Sequence, residues 1–506
     1  MFAATAARCR AHKLDSLELR FPFWTYYQAF RNEPYSFLLD SAKDSERLGK
    51  YSFLGGQPSL IFRAKRQYGK APSAGGLLEL IEPGRGNARV THSIGDPFDC
   101  LRGLLEQYRV DASEYAGRPV PCLAGAFGYF GYEAGYFIES LPDLGADDLA
   151  LPDIYFMFSD ALLAHCHDSG RSYLSVIGRG DSDDAARAAA GELREKWLRR
   201  IEAFEAHLTL ETAEIPPARH NGAGRSLTCA MNAHFDRDSY AAAVRQVKEE
   251  ILAGKAYEVC LTHRLDVPFA GDPWSLYCEL RRINPAPFAA YLNFPEAQVV
   301  SSSPERFLSL GSDRIAESRP IKGTRPRGQT PEQDAKLCRE LCSSVKDRAE
   351  NMMIVDLVRN DFGRVSRFGS VVVPELMAVE KYATVFQMVS TIRGELDSGF
   401  DGLDLVRACF PGGSMTGAPK IEAMKIIDRL EPVKRGIYSG AIGYFDFAGN
   451  LDLSMVIRTI VVKNGRAYLN VGGAIVADSD PIAEYSETMD KARALIAALN
   501  QIAINQ

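Results

Sequence analysis

A lysine that lies among prolines and glycines is the first residue of this sequence that could take part in catalysis. Lys322 belongs to residues 320–328 (PIKGTRPRG), where prolines fix the backbone and glycines let another group approach closely. A lysine in such a place can act as a nucleophile when burial or nearby cations lower its pKa. Composition alone favours a basic surface turn, so the residues by themselves leave both interpretations open.

Two acidic residues three positions apart form a second candidate. Asp347 and Glu350 lie in residues 346–361 (KDRAENMMIVDLVRND), and their spacing places both carboxylates on one face of a predicted helix. Such a pair can hold Mg²⁺, which takes few protein ligands and keeps several waters. The alternative, which periodicity alone favours, is an ordinary helix with paired charges.

A glycine-rich loop forms a third candidate. Residues 410–420 (FPGGSMTGAPK) carry Ser414 and lead into a helix that is predicted to start near Pro419. Backbone amides at the start of a helix can bind anions. The segment lacks the GxxxxGK spacing of a nucleotide-binding loop, and a tight structural turn explains it equally well.

The C-terminal region combines a glycine pair with charges on one helix face. Gly472 and Gly473 interrupt an apolar strand pattern, and a helix follows that opens near Glu484. Glu484, Glu487 and Lys491 share one face at positions i, i+3 and i+7. This arrangement suits a metal ion together with an anionic substrate, although a solvated amphipathic helix produces the same spacing.

The elements that must position these residues follow from hydrophobic periodicity. Residues 183–208 predict a long helix, and residues 209–235 predict a linker because they hold a proline pair and few large apolar residues. Asp238 is predicted to cap the next helix, which Gly254 ends. Residues 257–262 (YEVCLT) predict a strand, after which strands and helices alternate toward the C-terminus.

Composition excludes several classes of protein. The chain has 506 residues, of which 46% are hydrophobic and 25% are charged, and this excludes collagen-like, disordered and coiled-coil proteins. The formal net charge of −6 argues against a nucleic-acid-binding protein, because neutralising phosphates needs a basic surface. No stretch approaches 18 consecutive apolar residues, so we expect no membrane span.

The cysteines predict a protein of a reducing compartment. Ten cysteines are scattered along the chain without the paired spacing of a zinc site. Cys338 and Cys342 are four positions apart and are predicted to share a helix face. Free, largely buried thiols are typical of cytoplasmic proteins, and we expect that location.

Taken in order, the candidate segments resemble the motifs of the chorismate-utilising enzymes, the family that includes the anthranilate synthases. The resemblance is strong over residues 236–498 and weaker over residues 15–180. Lys322, in the sequence Pro-Ile-Lys-Gly-Thr, resembles the aminodeoxychorismate branch, because anthranilate synthases usually have alanine at this position. The other segments that resemble this branch are residues 347–351 (DRAEN), 412–417 (GGSMTG) and 257–262 (YEVCLT).

The resemblance implies an α+β fold of the anthranilate synthase component I type, with large antiparallel β-sheets flanked by helices. It implies an N-terminal region of the anthranilate synthase type at residues 15–208 and a linker at residues 209–235. Residues 236–498 would then form the chorismate-binding catalytic domain.

The resemblance also implies a role for each candidate residue. Lys322 would be the nucleophile that adds as a free amine to carbon 2 of chorismate, and Glu305 the acid–base group that assists departure of the 4-hydroxyl. Glu350 and Glu487 would hold Mg²⁺, with Glu484 nearby as a more distant or water-mediated ligand. The residues implied to bind substrate are Arg458, Lys491, Gly472, Gly473 and Ser414.

The implied reaction converts chorismate and ammonia to 4-amino-4-deoxychorismate, a step of transaminase class toward 4-aminobenzoate and folate. Because the sequence holds no glutaminase segment of the Gly-x-Cys-x-Gly type, we expect a separate glutamine amidotransferase subunit to supply the ammonia. The alternatives are an anthranilate synthase component I, which makes anthranilate and pyruvate, and a catalytically impaired regulatory paralogue.

Two departures from the family pattern bear on these alternatives. Related enzymes usually carry a histidine in the segment where this chain has Phe386 and Gln387, and neither residue exchanges protons as imidazole does. The absence of this histidine argues against the anthranilate reaction, and it is also compatible with an enzyme of reduced activity. Asp40 and Ser41 lie in the region that holds tryptophan in this family, so tryptophan is a possible ligand, although Asp40 replaces the more usual glutamate.

Overall fold

Two large antiparallel β-sheets form the framework of the protein. The computed structural model describes residues 9–42, 48–67, 69–84, 88–111, 117–207, 231–382 and 385–504. Elements are numbered in chain order within these ranges, and each sheet has twelve strands.

The first sheet has the spatial order β1-β10-β9-β3-β2-β13-β14-β23-β24-β12-β11, and β20 also pairs with β12. Its strands are β1 (Cys9–Leu17), β2 (Ser36–Asp40), β3 (Tyr51–Gly55), β9 (Ala161–Cys166), β10 (Arg171–Gly180), β11 (Asn232–Ala233), β12 (Glu258–Pro268), β13 (Phe288–Asn293), β14 (Gln298–Ser303), β20 (Gly417–Ala418), β23 (Thr459–Lys463) and β24 (Arg466–Ile475).

The second sheet has the order β17-β19-β16-β15-β22-β21-β7-β8-β4-β5-β6, and β18 lies along β19 as well. Its strands are β4 (Leu60–Arg66), β5 (Gly76–Glu82), β6 (Arg89–Gly95), β7 (Gly125–Phe130), β8 (Ile154–Ser159), β15 (Arg306–Leu310), β16 (Ile315–Ser318), β17 (Ile321–Pro326), β18 (Val372–Lys381), β19 (Val385–Glu395), β21 (Ala441–Asp446) and β22 (Leu451–Met455).

Helices cover the outer faces of both sheets. They are α1 (Pro97–Tyr108), α2 (Asp183–His207), α3 (Arg237–Leu252), α4 (Pro273–Ile283), α5 (Pro331–Ser343), α6 (Val345–Gly363), α7 (Gly402–Cys409), α8 (Lys420–Leu430) and α9 (Pro481–Ile504). Helices α2, α4 and α9 pack on the first sheet, whereas α1, α6 and α7 pack on the second.

Aromatic side chains fill the layer between the two sheets. Phe37 of β2 stacks on Phe127 of β7 with ring centroids 4.2 Å apart, and Phe53 of β3 meets Tyr444 of β21 edge to face. Strands in this layer are buried on both faces, which explains why β7 and β8 read as continuous runs of apolar and small residues. The predicted α+β fold, with antiparallel sheets flanked by helices, is confirmed.

Most of the predicted elements are present, with two corrections. The helix predicted from residue 183 is α2, and the strand predicted near Tyr257 begins at Glu258 as β12. The cap predicted at Asp238 is wrong: the carboxylate of Asp236 accepts the backbone N–H of Ser239, and Asp238 lies inside α3. The segment that contains Lys322 is a strand, β17, and not a surface turn.

Strands from both sides of the predicted linker contribute to each sheet. In the first sheet β2 pairs with β13, and in the second β7 pairs with β21, so the N-terminal and C-terminal halves interleave. Most of the predicted linker lies outside the described residues, which resume at Met231. The proposed domain limits therefore stay a prediction.

Two further expectations concern the membrane and the state of the cysteines. Within the described ranges, no helix is both long and apolar enough to cross a bilayer. The cysteines in these ranges all carry free thiols, and Cys338 and Cys342 both lie on α5 as predicted.

Close approach of neighbouring strands at Gly128 provides a test of this framework. A Cβ at Gly128 would lie 1.8 Å from the carbonyl oxygen of Tyr155 on β8, so Gly128→Ala should destabilise the protein. We expect a loss of about 1–3 kcal/mol or more in the free energy of unfolding, measured by denaturant titration.

Gly103→Ala is the matched control. Gly103 is exposed within α1 and has open space where a Cβ would lie, so alanine should stabilise the protein by about 0.5–1 kcal/mol. Equal effects of the two substitutions would contradict the packing of β7 against β8.

Candidate active site

The candidate site lies where the chain crosses from one sheet to the other. Glu305 stands between β14 of the first sheet and β15 of the second, and Arg458 stands on the return crossing between β22 and β23. The two crossings bind each other: Ser302 N–H donates to the carbonyl of Arg458 at 3.1 Å, and Met455 N–H donates to the carbonyl of Glu305 at 3.0 Å. Both side chains are thus carried by backbone that two sheets hold in place.

A cavity of about 460 Å³ opens at this crossing, and it brings the predicted residues together. Strands β12, β17 and β24, helices α6 and α9, and the turn Gly413–Met415 contribute its walls. The predicted site residues that line it are Glu305, Lys322, Glu350, Ser414, Arg458, Gly472, Gly473, Glu487 and Lys491. Glu484 lies just behind this wall, since a Cβ at Gly473 would be 3.1 Å from its Oε2.

Lys322 is buried in the wall and is held by two acidic side chains. Its Nζ donates to Glu258 Oε1 at 2.6 Å and lies 4.0 Å from Glu350 Oε2. Burial alone would lower the pKa of Lys322, but Glu258 and Glu350 outweigh it and raise the pKa above its usual value. These contacts favour the ammonium form, so the predicted attack as a free amine requires Lys322 to lose a proton first.

Glu258 is the site residue that sequence reasoning missed. Its side chain is fully buried, and its Oε2 accepts no hydrogen bond from any residue in the described ranges. On β12 it shares a face with Cys260, which lines the cavity. An acid inside the apolar strand YEVCLT was the available signal, because a buried carboxylate requires a cation or hydrogen-bond donors.

Glu305 has the properties of an acid that works near neutral pH. Burial raises the pKa of Glu305 to about 7, although Ser414, Lys322 and Arg458 each favour the ionised form. The hydroxyl of Ser414 donates to Glu305 Oε1 at 2.9 Å, so this side chain orients the carboxyl group. Ser414, which is predicted to bind substrate, therefore contacts the predicted acid directly.

The three predicted metal ligands are near one another but do not form a closed metal site. Within the described ranges, no three histidine, cysteine, aspartate or glutamate side chains are grouped closely enough to hold a metal ion by themselves. Lys346 lies between two of the predicted ligands, with Nζ 3.9 Å from Glu350 Oε1 and 3.4 Å from Glu484 Oε1. Burial raises the pKa of Glu350 to about 7.

Two cations, Arg458 and Lys491, also line the cavity. Arg458 is held with φ of 52°, a left-handed conformation that is unusual for arginine, and burial lowers its pKa. Lys491 Nζ donates to the carbonyl of Gly472 at 2.8 Å and lies 2.9 Å from Glu487 Oε1. Burial would raise the pKa of Glu487, but Lys491 and other lysines reverse the effect and lower it.

A buried arginine holds two walls of the cavity together. The guanidinium of Arg435 donates to the carbonyls of Met415 and Cys260, each at 2.7 Å. It also donates to the carboxylate of Glu431 at 2.7 Å. It therefore fixes the glycine-rich turn against β12. No sequence motif pointed to Arg435.

The structure distinguishes the two residues that replace the family histidine. Gln387 lines the cavity, whereas Phe386 is fully buried in a separate cluster with Leu341 and Met388. The amide of Gln387 is therefore the group at the position where proton exchange would be needed.

The predicted tryptophan residues lie at a second, larger cavity. Asp40 and Ser41 line a space of about 830 Å³ that residues of β13 also border. The Asp40 carboxylate accepts from Arg281 Nε at 2.6 Å and from the Tyr277 hydroxyl at 2.9 Å, so it is already paired. Ser41 donates to the carbonyl of Tyr51 at 2.7 Å.

Comparison with known proteins gives a consistent result. Residues 81–497 match the model of a family described as chorismate binding enzyme. The chain is 43% identical to an aminodeoxychorismate synthase of Streptomyces pristinaespiralis over 93% of its own length and 63% of that protein, so it spans less than two thirds of this relative. It is 40% identical to aminodeoxychorismate synthase component 1 of Bacillus subtilis, with 90% of each chain covered.

A solved structure is similar as well. The crystal structure of anthranilate synthase component I from Streptococcus pneumoniae aligns with a TM-score of 0.72 and 27% identity, covering 90% of this chain and 93% of that one.

The raised pKa of Glu305 predicts a pH-dependent stability difference. Folding raises this pKa from 4.5 to about 7, so between these values the native protein binds more protons than the unfolded chain and loses stability as the pH rises. Glu305→Gln removes this loss, and the variant should gain on the order of 2–3 kcal/mol relative to wild type between pH 5 and pH 8. Thermal melting across this range measures the difference.

Glu487→Gln is the control of opposite sign. Because the pKa of Glu487 is lowered on folding, its charge stabilises the native protein above the pKa of the unfolded chain, and this contribution disappears as the pH falls. The variant should be less stable than wild type at pH 7 and approach it in acid. A difference between Glu305→Gln and wild type that stays constant with pH would contradict the assigned pKa.

Proposed function

The chain belongs to the family of chorismate-binding enzymes, and we propose that it is the large subunit of an aminodeoxychorismate synthase. It would convert chorismate and ammonia to 4-amino-4-deoxychorismate, on the way to 4-aminobenzoate and folate. The observation that carries the proposal is Lys322, whose Nζ is in the wall of the cavity that Glu305 also lines, with a proton acceptor, Glu258, 2.6 Å away. The names of the relatives support the same reaction.

The reaction begins with a proton transfer from Lys322. Glu258 is the nearest acceptor, and taking the proton converts two buried charges into two neutral groups, which lowers the cost of their burial. The free amine of Lys322 then forms a bond to carbon 2 of chorismate, and both ring double bonds shift by one bond toward carbon 4.

Glu305 completes this first half. As the bond between carbon 4 and its hydroxyl breaks, the leaving oxygen takes the electron pair and accepts the proton of Glu305, so that water departs. A carboxyl group with a pKa of about 7 still holds a proton near neutral pH and gives it up readily. Ser414 keeps the carboxyl group oriented throughout.

Ammonia enters in the second half. Its lone pair forms a bond to carbon 4, both double bonds shift back, and the bond between carbon 2 and Lys322 breaks with its electrons going to Nζ. The ammonium formed at carbon 4 gives a proton back to Glu305, and Glu258 returns its proton to Lys322. The enolpyruvyl group is never touched, so no pyruvate is released.

The two carboxylates of chorismate require cationic partners in this cavity. The guanidinium of Arg458 can bind one carboxylate through charge-assisted hydrogen bonds, with Lys491 and the backbone at Gly473 beside it. Lys491 is partly neutralised by Glu487, so the local charge is smaller than the number of cations suggests.

The acidic side of the cavity fits Mg²⁺. Glu350, Glu487 and Glu484 offer carboxylate oxygens, the ligand type that Mg²⁺ prefers, and Glu350 Oε1 accepts no hydrogen bond from any described residue. A bound Mg²⁺ would supply positive charge for the second carboxylate of the substrate.

A glutamine amidotransferase subunit would supply the ammonia. The proposal rests on the component names of the relatives and on the separate delivery of ammonia that the reaction requires. The free thiols of the described cysteines are consistent with a cytoplasmic enzyme.

The alternative is an anthranilate synthase component I, because the similar solved structure is of a protein with that name. Gln387 at the cavity wall disfavours it, because an amide cannot provide the proton exchange that a histidine gives.

Product analysis tests the proposal. The purified chain, incubated with chorismate, MgCl₂ and ammonium chloride, should yield 4-amino-4-deoxychorismate by chromatography and no pyruvate in a coupled assay. Fluorescent anthranilate with an equal amount of pyruvate would favour the alternative instead. Absence of any turnover by a correctly folded chain would favour the impaired paralogue.

Variants of the Lys322 pair test the covalent route. Lys322→Ala should lower turnover on the order of a thousandfold or more, because it removes the nucleophile. Glu258→Gln should lower it by roughly 10²–10⁴-fold, because the proton of Lys322 loses its acceptor. Lys336→Ala is the control, since Lys336 is exposed on α5 and its ammonium lies 3.8 Å from Glu340 in the same helix. Unchanged turnover in Lys322→Ala would exclude the adduct.

We propose in addition that the second cavity binds tryptophan. Its size and its mixture of apolar and polar walls, which include Leu39, Phe53 and Ser41, support a ligand with a large ring and a polar end. Asp40 would act by holding Arg281 and Tyr277 in place, because its own oxygens are already paired.

Calorimetry with tryptophan tests this second site. Leu39→Trp should fill the cavity and weaken binding by about tenfold or more while turnover is retained. Leu77→Trp, at an exposed position on β5, should bind tryptophan like wild type. Failure of the unmodified protein to bind tryptophan would exclude the assignment.

A further inference from the structure

Lys346 is a cation that the proposed chemistry does not use, although it lies among the proposed metal ligands. It is in the first turn of α6, one turn before Glu350. Its Nζ lies 3.9 Å from Glu350 Oε1 and 3.4 Å from Glu484 Oε1, so one ammonium spans acids from α6 and α9. The negative charge of Glu487 also attracts this ammonium.

The carboxylates around Lys346 are incompletely neutralised. Glu350 Oε1 accepts no hydrogen bond from the part of the chain that the structure describes, and its contact with Lys346 is long. Glu484 Oε1 accepts a hydrogen bond from the hydroxyl of Ser479 at 2.7 Å, and the residue Glu484 is only 3% exposed. Because one ammonium contacts both carboxylates, it offsets part of the cost of burying their charge.

Lys346 differs from the other lysines of the cavity in how firmly it is held. Lys322 makes a 2.6 Å contact with Glu258, and Lys491 makes contacts of 2.8 and 2.9 Å. The contacts of Lys346 are longer, and 52% of its side chain is exposed. A flexible four-carbon stem that reaches in from the rim can leave its position without disturbing the wall.

We propose that Lys346 is the resident cation of the metal-free site, holding the place between Glu350 and Glu484 that Mg²⁺ takes on binding. Binding of Mg²⁺ by these carboxylates would require the ammonium of Lys346 to move outward into solvent. Lys346 thereby stabilises the metal-free protein and weakens the apparent affinity for Mg²⁺. The inference rests on the proposed role of Glu350 as a metal ligand.

Calorimetric titration of the metal-free protein with MgCl₂ tests the inference. Lys346→Met should bind Mg²⁺ about threefold to tenfold more tightly than wild type, because the competing cation is gone and the site is more negative. Without Mg²⁺ the variant should melt at a lower temperature than wild type, and saturating MgCl₂ should close this gap. Lys346→Gln, a milder change, should shift both quantities in the same direction.

The matched control is Lys336→Met. Lys336 pairs with Glu340 one turn away on α5, as Lys346 does with Glu350 on α6, but Lys336 does not line the cavity. Its Mg²⁺ affinity should equal that of wild type. A general effect of removing one positive charge would instead raise the affinity of both variants equally and overturn the inference.

Two other outcomes separate this inference from the proposed function. If wild type binds Mg²⁺, Glu350→Gln abolishes binding and Lys346→Met binds no more tightly than wild type, Lys346 positions Glu350 and the inference is wrong. If neither wild type nor the Lys346 variants bind Mg²⁺, the metal assignment fails and the inference fails with it. Product analysis reports separately on the reaction.

Discussion

The buried ion pair between Lys322 and Glu258 is the interaction on which the rest of the site depends. An ammonium in the wall of a cavity is stable only because Glu258 and Glu350 compensate for its lost hydration. The same contacts keep the amine protonated and therefore unreactive. A lysine nucleophile in this fold must accordingly be activated by moving a proton to a neighbour that is already in contact, which is the property that Glu258 provides.

The two sheets hold the residues of this site in fixed positions. Glu305 and Arg458 stand on two adjacent crossings between the sheets, and backbone hydrogen bonds join these crossings directly. Arg435 adds a third restraint by bridging Met415 and Cys260. Because strands from both halves of the chain interleave in each sheet, the walls of the cavity cannot move apart without breaking strand pairing.

The sequence predicts which residues belong to this site better than it predicts the contacts between them. Lys322 and Glu350 are recognisable from the composition of their segments, whereas Glu305 comes from the resemblance to the family, and all three line one cavity. Glu258 is hidden by an ordinary strand pattern, and its pairing with Lys322 spans 64 positions. The contact of Lys346 with Glu484 depends on how α6 meets α9, which no local pattern encodes.

Charge in the cavity is balanced pair by pair, and this explains how a chain with a net charge of −6 can serve a dianionic substrate. Lys322 is matched by Glu258, Lys491 by Glu487, and Lys346 by the acids around it. Net charge is therefore a poor guide to the potential inside the site. The proton that Glu258 takes from Lys322 leaves that pair neutral, so the cation that the proposed mechanism gives to a substrate carboxylate is Arg458. On this argument, the acidic residues hold the lysines in place, while Arg458 and a bound Mg²⁺ would supply the positive charge that attracts the substrate.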